Sequence, residues 1–177
     1  MIYSQKIKAL IQLGDLSSAE ESLNIAHDLA RNEIMVPYFL SFYLTANLLY
    51  ETRRMEEAAH DGDHKKTSFY WRKVRKTGRK AVKNSSKAVF ESIETYRIIG
   101  ISYWIHNKQS KALQCWNKAF FTAKRLGAKV EWAATLKEVS TRLSEMGSRY
   151  VELNGISPAS MKEQAEIMYN EMGIVNR

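Results

Sequence analysis

The chain has 177 residues, a net charge of +8, one cysteine, eight glycines and two prolines. That length suits one domain or one compact repeat array. A hydrophobic content of 45% with nineteen aromatic residues excludes disorder throughout, and so few turn formers favour long helices over many short strands. The lone Cys115 excludes an internal disulfide and agrees with a reducing, cytoplasmic location. No apolar run approaches the ~20 residues that cross a bilayer, and MIYSQKIKAL lacks the apolar stretch of a secretory signal. The charge is concentrated. From His64 to Phe90 there are ten Lys or Arg and no Asp or Glu, so the remainder carries a net −2.

In chain order, residues 2–32 read as a first helical pair turning at Leu13-Gly14-Asp15. A second pair, 36–90, begins at Val36-Pro37. Its first helix carries Phe39, Phe42, Tyr43 and Ala46 and ends near Glu57-Ala58. His60-Asp61-Gly62-Asp63 forms the loop, and the second helix runs from about Thr67 to Ser85. On that helix Phe69 or Tyr70, Val74, Gly78, Ala81, Val82 and Ser85 make a narrow apolar or small stripe. Arg72, Arg75, Lys76, Arg79, Lys80 and Lys83 cover the rest, so the helix is amphipathic with a wide basic face.

A third pair, 92–126, opens with Tyr96, Ile99, Gly100 and Tyr103 at i, i+3, i+4, i+7 spacing. It turns at His106-Asn107-Lys108-Gln109 and continues with Ala112, Trp116, Ala119 and Ala123, with Gly127 as a C-terminal cap. A fourth pair, 131–173, carries Trp132, Leu136 and Val139. A loop from Gly147 to Ser157 delays its second helix, which starts at Ser157-Pro158 and bears Ala165, Tyr169 and Met172. Displacing the chain by 93 residues sets Tyr3 on Tyr96, Ala19 on Ala112, Leu23 on Trp116 and Ala26 on Ala119.

The run Tyr96–Ile99–Gly100–Tyr103 followed by Ala112–Trp116–Ala119 resembles the tetratricopeptide repeat; the family's closing Pro is replaced by Lys124. The resemblance implies an all-α, right-handed superhelix of about four antiparallel helix pairs that binds rather than catalyses. The long repeats, the lysine-rich helix and the ending YVELNGISPASMKEQAEIMYNEMGI resemble the C-terminal helical region of large bacterial signalling proteins with ATPase, nucleotide cyclase or protein kinase modules. No phosphate loop, kinase motif or cyclase domain accompanies it, and the abrupt start at residue 2 reads as a fragment of a longer protein. In the family's register the first helices line a concave groove for a protein or peptide partner, acidic or from the same parent chain. The implied groove residues are Leu40, Leu44, Asn47, Arg97, Ile101, Trp104, Lys137 and Ser140. Trp104 is either an exposed anchor there or packed under a neighbouring helix.

Catalytic and metal chemistry find little support. His60-Asp61-Gly62-Asp63-His64 offers N and O ligands but matches neither a calcium hand nor a zinc motif, and reads as a solvated turn. Cys115 has no oriented base and reads as an inert thiol; His27 and His106 read as surface or capping residues. Glu20-Glu21 and Glu56-Glu57 are adjacent and diverge on a helix. No cofactor motif is present. The basic helix reads first as a solvated face, then as a surface for an acidic partner, then as a nucleic-acid site with Tyr70 and Trp71 stacking on bases, then as a contact for anionic membrane. A small-molecule pocket among Tyr43, Trp104 and Trp132 is a further alternative.

Overall fold

The computed structural model describes residues 1–32 and 36–174. Among these residues there are eight helices: α1 (Ile2–Gln12), α2 (Leu16–Asn32), α3 (Pro37–His60), α4 (His64–Ser85), α5 (Val89–Ile105), α6 (Gln109–Leu126), α7 (Lys129–Leu143) and α8 (Pro158–Glu171). The only extended pairing among them is one isolated bridge between Leu153 and Ile156, inside the loop before α8. Consecutive helices pack as hairpins, α1 with α2, α3 with α4, α5 with α6 and α7 with α8. Each later first helix then packs on both helices of the preceding pair. No described helix is long and apolar enough to cross a membrane.

The first three hairpin turns share one chemistry. Gly14, Gly62 and Asn107 sit in left-handed backbone, φ 78°, 70° and 54°. The next N–H reaches back five residues each time: Asp15 to the Leu10 carbonyl, Asp63 to Ala58, Lys108 to Tyr103. This bond satisfies a carbonyl that the ended helix leaves open. Gly127 repeats the geometry between α6 and α7, as the sequence predicts, with Ala128 N–H on the Ala123 carbonyl. Gly14 and Asn107 are 93 residues apart, the displacement found in the sequence. Ala19 and Ala112, Leu23 and Trp116, and Ala26 and Ala119 are all buried.

Of the three hairpin turns, the one at Asn107 is closed by a residue with a side chain. Asn107→Ala is expected to lose about 1 kcal/mol, because Asn tolerates left-handed backbone and Ala does not. Asn107→Gly should match or exceed the parent. Urea midpoints of the three proteins check this.

Several elements run longer than the sequence suggests. α3 extends to His60, α4 starts at His64, α5 at Val89 and α7 at Lys129. The reason at α4 is Asp63, whose carboxylate accepts from Lys66 N–H and caps the helix. Ser157 caps α8 in the same way, followed by Pro158, as read from the sequence.

The core is deepest around α5. It contacts α3, α4, α6 and α7 and buries Ile93, Ile98, Ile101 and Trp104. A helix apolar on every side belongs inside a bundle. Buried hydroxyls register it against α3, with Thr45 bonded to Thr95 and Thr52 to Ser102, at 3.2 and 2.9 Å.

Candidate functional site: a cationic cleft over α3

The structure redistributes the residues expected in a first-helix groove. Ile101 is buried, and Ser140 is buried with its hydroxyl donating to the Pro158 carbonyl. Trp104 is only 7% exposed, lies against Trp116, and donates its indole N–H to Glu145 at 2.7 Å. It is therefore packed under its neighbours and offers no open anchor. Arg97 is half-buried beside Glu94, while Lys137 is exposed. The correction has a physical cause: α5 is enclosed by four helices, so its side chains fill the interior. Ion pairs also bridge alternate first helices, Lys8 of α1 with Glu94 of α5 and Glu56 of α3 with Arg142 of α7. Arg142 additionally holds Glu138 and Glu145. Burial alone would raise the Glu56 carboxyl, yet Arg142 and Arg53 hold it below the usual range.

Leu40, Leu44 and Asn47 have a different fate. They form the floor of a cleft of about 740 Å³ between α2, α3 and α4. With Tyr43 and Glu51 they lie at i, i+3, i+4, i+7 and i+11, one face of α3. Across the cleft, Lys73, Lys76, Lys80, Lys83 and Lys87 descend α4 and its C-terminal end at alternating spacings of three and four, and Arg31 of α2 completes the rim. Six cations thus surround one carboxylate, Glu51, among the described residues of the lining.

α4 can present this face because its opposite stripe is buried: Trp71, Val74, Thr77, Gly78, Ala81 and Ser85. The predicted stripe needs one correction. Trp71, not Phe69 or Tyr70, is the buried aromatic. It packs edge-on to Tyr103 and stacks on His106 at 4.3 Å. Trp71 is therefore closed to a nucleic-acid base. His106 keeps its place at the C-terminal cap of α5, and burial, with Lys108 and Arg75 nearby, lowers its basicity. The arginines turn the other way. Arg75 and Arg79 line a second, smaller cleft of about 400 Å³ between α4, α5 and α6, floored by Val74, Gly78, Ile99 and Tyr103. Arg72 is exposed and lines neither cleft.

The feature that sequence reasoning missed is Glu51. It is 8% exposed, and its Oε2 has no hydrogen-bond partner among the described residues. Burial pushes its carboxyl up to about 7, although the Thr77 hydroxyl and the charges of Lys73, Lys76 and Lys80 pull it down. Beside it Tyr43 shares a 2.7 Å hydrogen bond with His27 Nδ1, and burial followed by the Glu51 charge raises the phenol. The sequence did hold a signal. Glu51 continues the apolar stripe of α3, a position where an acid is out of place.

The remaining candidate residues do not assemble a second site. Tyr43 belongs to a different cluster from Trp104, against whose cluster Trp132 packs, and neither of the two clefts above is lined by Trp104 or Trp132. Cys115 is half-buried, and burial raises its thiol to about 11, against reactivity. In the His60–His64 turn, Asp63 is a helix cap and His60 and Asp61 are exposed. Comparison with protein-family models, with curated proteins and with solved structures finds no match to this chain.

Proposed function

We propose that the chain is a non-catalytic binding module of the tetratricopeptide kind, a right-handed helical superhelix, that docks an acidic protein segment in the cleft between α2, α3 and α4. The sequence resemblance further suggests a regulatory or scaffolding role in a bacterial signalling protein, with the segment supplied by a partner or by the parent chain. The observation that carries the docking reading is charge placement: six cations rim a floor that contains Leu40, Leu44 and Ala30. Such a surface suits alternating acidic and apolar side chains, with the charges steering approach and the floor holding the complex. The floor from Leu40 to Glu51 runs about 17 Å along the helix, the span of about five extended residues.

The test is fluorescence anisotropy with labelled peptides of about eight residues, alternating Asp or Glu with Leu. Binding to the parent chain should weaken at least about tenfold in the Lys76→Glu, Lys80→Glu double variant, and should weaken with added salt. Peptide binding that ignores both substitutions would move the site elsewhere. Preferential, equally salt-sensitive capture of single- or double-stranded DNA would replace the acidic segment with nucleic acid.

A further inference from the structure

Resting on that docking reading, we infer that Glu51 is the specificity-determining residue of the cleft: its Oε2 accepts a hydrogen bond from a neutral donor on the docked segment, a Ser or Thr hydroxyl or an Asn or Gln amide. Three observations converge. Oε2 is buried yet lacks a partner among the described residues, and Glu51 lines the cleft. A buried acceptor left unmade is costly, so whatever fills the cleft gains by satisfying it. The surroundings then choose the donor. Lys73, Lys76 and Lys80 of α4 impose positive potential on Glu51, and Arg31 of α2 and Lys83 of α4 share the cleft. A Lys or Arg of the ligand would enter a field of six like charges, whereas an acid at this point would face the Glu51 carboxylate. A neutral donor between flanking acids meets neither repulsion. The acids meet the lysine rim while the donor meets the floor.

A site that hydrogen-bonds a ligand rejects the analogue lacking the donor, because its own polar group is then stranded. The discriminating experiment walks one Asn, against one Ala, through each interior position of the acidic peptide. Each pair is measured on the parent chain, on Glu51→Met and on Glu51→Gln. One register should show the Asn peptide binding about tenfold tighter than its Ala partner on the parent chain. That preference should vanish in Glu51→Met and survive in weakened form in Glu51→Gln, which keeps an oxygen acceptor. Glu51→Met removes a buried charge without shortening the side chain, so it should fold, and the Ala peptides report an intact cleft in the same protein. Equal binding of Asn and Ala peptides at every register, with the lysine dependence intact, overturns the inference and leaves the docking reading standing. A preference that persists in Glu51→Met also overturns it. Failure of every peptide to bind overturns the docking reading and this inference together.

Discussion

Gly100→Ala is expected to be among the most damaging single-methyl changes in the molecule, lowering stability by about 3 kcal/mol. A Cβ built at Gly100 falls 2.2 Å from Trp116 Nε1 and 2.4 Å from its Cδ1. The indole cannot easily yield. Trp116 has no exposed surface, donates to the Arg97 carbonyl at 3.1 Å, and lies against Trp104. Relief therefore requires α5 and α6 to separate, which disturbs the close-packed hairpin at the centre of the array. The improved helix propensity of Ala, about 1 kcal/mol, offsets only part of this. Gly78 supplies the internal comparison. Its added Cβ would sit 3.3 Å from Ile99 Cδ1, the movable end of a side chain. Gly78→Ala should then be close to neutral. Urea unfolding of both variants checks the pair; a Gly100→Ala protein as stable as its parent would show that the indole can be displaced.

Glu51→Gln is expected to stabilise the protein at pH 8 and to leave it unchanged near pH 4. The Glu51 carboxyl is raised from the ordinary 4.5 to about 7, chiefly by burial. Below pH 4.5 the group is protonated in both folded and unfolded chains and contributes no difference. As pH rises from there to about 7, the unfolded chain releases this proton while the folded chain retains it, so stability falls. Above 7 the folded chain holds a buried charge, at a cost of about 3 kcal/mol relative to acid. Gln has the same shape and never ionises. The difference between variant and parent should therefore grow across pH 4.5–7 and then level off. Thermal midpoints in a buffer series measure it; a difference independent of pH would mean that Glu51 ionises freely in the folded state.

Much of the architecture was legible because it is local. The turns at Gly14, Gly62 and Gly127 and the Ser157-Pro158 start were recognisable from residue chemistry that acts within a few positions. The pairing of Ala112 and Ala119 with Trp116 was legible as alternating size on a helix face, and all three are buried. The basic face of α4 was legible as a solvated or binding face, but not its division into lysines facing α3 and the arginines Arg75 and Arg79 facing a second cleft. Trp71 shows the limit. The sequence predicts Phe69 or Tyr70 in the buried stripe, but Tyr70 and Trp71, at i−4 and i−3 from Val74, flank it equally by periodicity. The choice between them was made by Tyr103 and His106, which arrive from the next hairpin.

An all-helical chain, four hairpins with their turns, a 93-residue internal echo and one strongly basic helix all follow from the order of residues, since propensity, capping and periodicity are properties of near neighbours. Which faces stay open is settled by how the hairpins pack. The enclosure of α5 by α3, α4, α6 and α7 buried Ile101 and Trp104. The gap between α2 and α4 exposed the α3 face of Leu40, Leu44 and Asn47 to the α4 lysines. It also set Glu51, remote in sequence from every one of those cations, at the bottom of their field. Burial and electrostatic potential are sums over residues distant in the chain, so neither exists until the helices are brought together.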